Sequence, residues 1–262
     1  MARIHRMTSP RTILWLEFTA VTTFAAVAAA AIPWSTGYFA WSWDALNHHI
    51  YLGMTAEQPR WQLDVVAASF QSYQYPYLYW PVYRMSLMQG SGAAIGAAWA
   101  AFQAALLAMP VWCLSLRMLP NAGGGTPAAA IERVVACLLA FMSLVVVMGL
   151  ETTTNDLLAA VPLMWAIAIG LHAKTSQRQA IAAASLFGVA VALKLSNGLF
   201  LPMLLLWWWQ PGRPHLSLQR GLALAFGASA GFALAYSPWG WQLWRLTGNP
   251  FYPYFGALFT GA

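Results

Sequence analysis

A carboxylate and two adjacent histidines stand close together in the stretch WSWDALNHHIYLG, residues 41–53. Asp44 precedes His48 by four positions and His49 by five. On a helix, Asp44 and His48 therefore share a face, and His49 is turned from that face by ~100°. Only 8% of the chain is charged, so polar side chains are scarce and their concentration here is unusual. We therefore treat this stretch as a candidate functional site.

Plainer interpretations of the same residues stay open. Asp44 stands where a carboxylate caps the N-terminus of a helix, and a cap also holds a base in place. His48 and His49 suit hydrogen bonding to a substrate, or packing at a membrane interface. Asp44 and His48 supply two ligands for a divalent metal, and Glu151 or Asp156 would have to supply a third.

Cationic side chains that suit a phosphate group follow later in the chain. Lys194 lies in KLSNG and Arg245 in WRLTGNPFYPYF, and both are flanked by apolar sequence. Lysine offers a compact charge and arginine a fork for two hydrogen bonds. Snorkelling to lipid headgroups is the alternative for both side chains. Arg84 is a further candidate of the same kind.

Other polar and aromatic residues accompany these groups. In the turn ETTTND, Glu151 and Asp156 lie near the start of a helix, where capping with Asn155 is the plainer role. A set of aromatic residues suits either stacking on sugar rings or an interfacial belt. They are Tyr73, Tyr75, Tyr77, Tyr79, Trp80 and Tyr83.

Membrane helices must position all of these residues. The chain of 262 residues is 60% hydrophobic and only 8% charged, whereas soluble domains carry ~25% charged residues. Its apolar runs reach the ~20 residues that cross a bilayer. The sequence therefore predicts an all-α polytopic membrane protein, and the net charge of +6 serves orientation rather than nucleic-acid binding. Cys113 and Cys137 form no C-x-x-C pair, so we expect no disulfide framework and no thiolate metal site.

Seven transmembrane helices are predicted, two of them short. They cover residues 12–33, 92–113, 132–150, 156–173, 180–192, 198–209 and 221–238. The fifth and sixth are thin or broken spans, or a re-entrant pair. Glu17, within the first helix, is expected to face the helix bundle or the near interface.

The distribution of Lys and Arg predicts a cytoplasmic N-terminus. Nine of these residues, including Arg133, fall in cytoplasmic segments and four on the opposite side. Residues 34–91 then form a large extracytoplasmic loop with interfacial helices, and residues 239–262 form a second outer segment. All the polar clusters named above belong to this outer face of a single transmembrane domain, residues 1–262.

The order and sidedness of these motifs resemble the GT-C superfamily of integral-membrane glycosyltransferases. The matching features are the acidic first loop WSWDALNHHIYLG, the TTTNDL turn, the LKLSNGLFLP hairpin and the segment GWQLWRLTGNPFYPYF. The resemblance implies transfer of a sugar from a polyprenyl-phosphate carrier to a glycan, lipid or protein of the cell envelope, at a bacterial inner membrane. It implies Asp44 as the general base, with Lys194, Arg245 and Arg84 as donor-phosphate ligands.

Members of this class usually have more than seven spans, so we expect a fragment or a shortened relative. A non-catalytic membrane subunit that binds lipid or a partner protein is the alternative function. A transporter is less consistent with the sequence, because the polar residues gather at one face and no internal repeat is found.

Overall fold

The computed structural model describes residues 10–37, 42–64, 67–119, 126–150, 152–171, 176–208 and 218–259. Within these ranges the chain is mostly helical and has no strand. Three of the described helices are long and apolar enough to cross a bilayer: Thr12–Thr36, Gly92–Met118 and Leu218–Thr247. The prediction of an all-α membrane protein is therefore confirmed.

The α-helices in chain order are α1 (Pro10–Thr36), α2 (Ile50–Thr55), α3 (Trp80–Ser86), α4 (Gly92–Met118), α5 (Pro127–Phe141), α6 (Leu144–Leu150), α7 (Asp156–Gly170), α8 (Gln177–Leu193), α9 (Pro202–Trp208), α10 (Leu218–Thr247) and α11 (Gly256–Phe259). A π-helical turn, Ala45–His49, leads directly into α2. Short 3-10 helices cover Ser69–Tyr73 and Leu195–Phe200. The segment between α1 and α4 thus contains several short helices.

The other four predicted spans take different forms, and in place of the sixth the chain has the 3-10 helix Leu195–Phe200 followed by α9. In place of the third, α5 and α6 meet at a bend of 69°. Ser143 lies at this bend, and its hydroxyl accepts a hydrogen bond from the backbone of Val146, so a new helix begins there. The helices α7 and α8 have 15 and 17 residues, which gives lengths of about 22 and 26 Å against a hydrocarbon core of ~30 Å.

The chain divides into two compact units, and the first comprises residues 1–39 and 91–151. Here α1 packs along α4, and α5 contacts both. Glu17 of α1 and Arg133 of α5 form a buried, two-pronged ion pair, with N–O distances of 2.6 and 2.7 Å. The indole of Trp112 on α4 donates a further hydrogen bond to Glu17. The sequence analysis placed Arg133 in a cytoplasmic segment, but the side chain is a buried partner of Glu17. An unpaired carboxylate in this position would be costly.

The second unit comprises residues 40–90 and 152–262. At its centre, α8 packs against α7 and α10. Glycines permit the close approach of α8 and α10, because a Cβ at Gly188 would collide with the Ala228 carbonyl oxygen. Likewise, a Cβ at Gly231 would collide with the Ser185 carbonyl oxygen. This packing positions the end of α8 and the second half of α10, both of which border the candidate site.

Candidate functional site

A cavity of about 370 Å³ lies within the second unit. Segments far apart in sequence contribute to it: the π-helical turn, the stretch before α3, the start of α7, the end of α8 and the C-terminal part of the unit. Its polar and aromatic lining residues include Asp44, His48, His49, Gln71, Tyr73, Gln74, Tyr75, Tyr79, Thr154, Asn155, Asp156, Lys194, Ser196, Tyr236, Tyr252 and Tyr254. Five of the acidic, basic and histidine residues predicted from the sequence therefore share one cavity: Asp44, His48, His49, Asp156 and Lys194.

Asp44 lies inside a helical stretch. Its backbone is already helical, and its side chain makes no capping hydrogen bond, so the capping interpretation is wrong. The carboxylate is about half exposed, and its oxygen lies 3.9 Å from Nδ1 of His48, which is too long for a hydrogen bond. Asp44 therefore presents an accessible carboxylate to the cavity.

The two histidines both face this cavity, although an α-helix would have turned them ~100° apart. The wider π turn reduces the angle between consecutive side chains, and the rings of His48 and His49 touch at 4.3 Å between centroids. Both side chains are buried. Sequence periodicity does not reveal a π turn, so this arrangement was not predicted.

His49 is fixed from two sides. Its Nδ1 hydrogen bonds to the hydroxyl of buried Thr153 at 2.6 Å, and its ring stacks on Tyr79. Tyr79 can lie there because α2 approaches it closely at Gly53, where a Cβ would collide with the Tyr79 carbonyl. Burial, with a smaller effect from neighbouring His48, lowers the pKa of His49 to about 4. Burial also lowers the pKa of His48. Both rings are therefore mostly neutral at pH 7.

Lys194 and Asp156 form an ion pair at the cavity wall. Asp156 is the first residue of α7 and Lys194 directly follows α8, so the pair joins the ends of these helices. Asn197 supports the same junction, because its side-chain amide donates to the carbonyls of Ala159 and Ala190. The Lys194 side chain is half-buried and pairs with a carboxylate of the protein. The alternative expectation was that it extends to the lipid headgroups.

Six tyrosines line the cavity, and sequence analysis singled out three of them: Tyr73, Tyr75 and Tyr79. Burial raises the pKa of Tyr75 to about 12 and raises that of Tyr79 further, with Asp156 and Asp44 contributing to the second shift. Asp44 and Asp156 therefore both lie within electrostatic range of the Tyr79 hydroxyl. These phenols are neutral at pH 7.

The remaining three tyrosines come from α10 and the segment after it: Tyr236, Tyr252 and Tyr254. Buried Asn249 shapes that segment by donating to the Tyr254 carbonyl and accepting from the Phe251 amide. The sequence NPFYPYF could have indicated that this segment lines the cavity. Asn and Pro beside tyrosines are typical of a tight turn that presents aromatic rings.

The other predicted site residues either do not line the cavity or lie outside the described residues. Arg84 is exposed and pairs with Glu57 at 3.3 Å, and it does not line the cavity. Arg245 is exposed in the last turn of α10 and does not line the cavity either. Glu151 lies outside the described residues.

A divalent metal would need at least three suitable ligands in one place. Among the residues that the structure describes, no group of three His, Cys, Asp or Glu side chains has this arrangement. Asp44 and His48 thus remain a pair of potential ligands, and the chemistry below uses no metal.

Comparisons with protein-family models, with curated proteins and with solved structures find no match for this chain.

Proposed function

We propose that this protein is a membrane glycosyltransferase of the GT-C type. It transfers a sugar from a polyprenyl-phosphate carrier to a glycan, lipid or protein acceptor of the cell envelope. The reaction takes place on the extracytoplasmic side of a bacterial inner membrane, and the N-terminus is cytoplasmic. The shorter apolar helices and the bent pair bring the number of spans to seven.

The observation that carries this proposal is the meeting of Asp44 and Lys194 in one cavity, across some 150 residues of sequence. An accessible carboxylate and a half-buried ammonium are the two groups that sugar transfer from a lipid phosphate requires. The surrounding tyrosines offer flat apolar faces with polar tips, which suit a sugar ring.

The chemistry follows from these positions. The hydroxyl oxygen of the acceptor attacks the anomeric carbon of the donor sugar, and its proton passes to the Asp44 carboxylate. The bond between the anomeric carbon and the phosphate oxygen breaks, and the electron pair leaves with the lipid phosphate. Lys194 stabilises the negative charge on that phosphate.

The Lys194–Asp156 ion pair is compatible with this role. An ammonium group carries three N–H donors, and the bond to Asp156 uses one of them. Asp156 thus orients the lysine while further donors stay available to a phosphate. Arg245 and Arg84 do not line the cavity, so the phosphate contact proposed here rests on Lys194.

The test is sugar transfer from a polyprenyl-phosphate donor by the purified full chain in nanodiscs. Asp44→Asn should lower the rate at least a hundredfold, since it removes the proton acceptor. Asp64→Asn is the matched control, because Asp64 pairs with Arg60 outside the cavity. Near-wild-type transfer by Asp44→Asn would remove Asp44 as the base.

A non-catalytic membrane subunit is the second candidate. Asp156 already neutralises the one cation among the described residues that line the cavity, and this favours a role without phosphate binding. Stable co-purification with a partner protein, together with no binding of the donor lipid, would support this second function.

A further inference from the structure

Several uncharged polar side chains line the cavity of the second unit without a hydrogen-bond partner in the part of the chain that the structure describes. They are Gln71, Gln74, Asn155 and His48. Buried polar groups are normally hydrogen-bonded, so groups that the protein leaves without a partner are available to a ligand. The proton transfer and phosphate contact proposed above use Asp44 and Lys194, and they leave these four side chains without a role.

Asn155 is the most enclosed of the three amides. It directly precedes α7, where the sequence favoured a capping role, yet its side chain makes no capping hydrogen bond. The residue is only 7% exposed, and it lines the cavity. A side-chain amide has two N–H donors and one carbonyl acceptor, and burial without a partner is costly for all of them. A polar ligand in the cavity would supply the missing partners.

Gln71 and Gln74 present two further amides from a single turn. They belong to the end of the 3-10 helix Ser69–Tyr73, where the Gln74 backbone N–H donates to the Gln71 carbonyl oxygen at 3.0 Å. Side chains three positions apart lie on the same face of such a helix. Both side chains are half-buried and line the cavity. The turn therefore offers a pair of amides to one ligand.

His48 adds a neutral ring to these amides. It is 6% exposed, and its Nδ1 lies 3.9 Å from the Asp44 carboxylate, which is too far for a hydrogen bond. Because burial lowers the pKa of His48, the ring is mostly neutral at pH 7 and has one N–H donor and one acceptor nitrogen. Like an amide, it can therefore both donate to and accept from a hydroxyl group.

The charges of the cavity select against a charged sugar. Among the described lining residues the charged groups are the Asp44 and Asp156 carboxylates and the Lys194 ammonium. Lys194 pairs with Asp156, and its other donors face the phosphate in the proposed reaction. A carboxylate on the sugar would therefore meet Asp44 without a cation to balance it, and like charges repel. An ammonium on the sugar would pair with Asp44 and occupy the proton acceptor.

We infer that the donor sugar is uncharged and that Asn155, Gln71 and Gln74 bind its hydroxyl groups. The His48 ring contributes a further hydrogen bond. The inference rests on the proposed glycosyl transfer, and it names the substrate class of that reaction. Each hydroxyl both donates and accepts, as these amides do, so a neutral sugar satisfies the partnerless groups and brings no unbalanced charge. A site of this kind discriminates against ligands that leave its polar groups unpaired.

Equilibrium binding of matched carriers to the full chain in phosphatidylcholine nanodiscs tests the inference. The carriers are polyprenyl phosphate alone and polyprenyl phosphate joined to glucose, glucuronate or glucosamine, which share one ring configuration. Glucose should tighten binding about tenfold over the bare carrier through its hydrogen bonds, whereas glucuronate should not tighten it. The series is repeated in the galacto and manno configurations, so that a preference for one configuration does not decide the result.

Substitutions of the amides connect this preference to the cavity. Asn155→Ala and Gln74→Ala should each weaken binding of the neutral-sugar carrier about fivefold and leave binding of the bare carrier unchanged. Unchanged binding of the bare carrier also verifies that each variant is folded. Gln74 is half-buried and its side chain has no partner among the described residues, so its variant keeps the test valid if Asn155→Ala does not fold. Gln58→Ala is the matched control, because Gln58 is exposed and does not line the cavity.

Three results would overturn the inference. Equal binding of the neutral and carboxylate sugars would show that the cavity does not select by charge, and tightest binding of the amino sugar would assign it a cationic sugar. Unchanged binding of the neutral-sugar carrier by the folded amide variants would show that the amides do not hold the sugar. Transfer assays separate this from the proposed function: selective binding without transfer contradicts the function alone, and transfer without selectivity contradicts this inference alone. Binding of no carrier contradicts both.

Discussion

Lys194 donates a hydrogen bond to the Asp156 carboxylate, and this ion pair connects the end of α8 to the start of α7 at the wall of a cavity that Asp44 also lines. The pair holds a cation among acidic, aromatic and neutral polar side chains. A phosphate that enters the cavity meets this ammonium in a fixed position.

Replacing Lys194 by methionine should separate the effect of its charge on donor binding from the effect of its packing. Lys194→Met keeps an unbranched apolar stem but removes the ammonium, so we expect kcat/KM for the lipid-linked donor to fall about a hundredfold. Arg84→Met and Arg245→Met serve as controls, because neither arginine lines the cavity. A loss in Arg245→Met equal to that in Lys194→Met would contradict the placement of the phosphate.

Removing one partner of the buried ion pair in the first unit should be strongly destabilising. Glu17→Ala leaves the fully buried Arg133 without its carboxylate, and we expect a loss of about 3–5 kcal/mol in the free energy of unfolding. The surface pair is the control: Glu57→Ala removes the partner of exposed Arg84 and should cost about 0–1 kcal/mol. Unfolding by denaturing detergent measures both, and equal losses would argue against a buried pair.

His49 should make the protein less stable in mild acid. Its pKa is about 4 when folded and near 6.5 when unfolded, so the unfolded state binds more protons between these pH values. The free energy of unfolding therefore falls as the pH drops from about 6.5 towards 4, by on the order of 3 kcal/mol. Thermal unfolding of wild type and His49→Gln between pH 4.5 and 7.5 tests this. The variant should show a shallower dependence, and an identical slope would contradict the burial of a neutral ring.

The glycine contact between α8 and α10 should be intolerant of a side chain. A Cβ at Gly231 meets the Ser185 backbone, which cannot move without shifting α8. Gly231→Val should therefore separate the two helices and lower both the unfolding temperature and donor binding. Gly256→Ala is the control, because a Cβ there meets nothing within 4 Å. Donor binding that survives Gly231→Val would show that this packing does not position the cavity.

Composition and hydropathy were sufficient to predict a helical membrane protein, because three helices in the described part of the chain carry apolar runs of full spanning length. They did not predict the bend between α5 and α6, where a serine cap rather than proline or glycine starts a new helix. They also misplaced Arg133, since a positive residue beside an apolar run has the same sequence signal in a loop as in a buried pair with Glu17.

At the candidate site, residue type and predicted position on the outer face of the membrane were enough to select Asp44 and Lys194. Both residues line one cavity in the structure. The pairing of Lys194 with Asp156 was not predicted, because it depends on how α7 and α8 pack. The π turn that turns both histidines inwards was missed for a related reason, as it is set by tertiary contacts of His49 with Thr153 and Tyr79.

The most direct test is an experimental structure of the full chain in nanodiscs with a bound polyprenyl-phosphate sugar. We predict a phosphate oxygen within about 3 Å of the Lys194 ammonium, with the anomeric carbon facing Asp44. A phosphate bound beside Arg245 or Arg84, with the cavity around Asp44 free of sugar, would contradict the account.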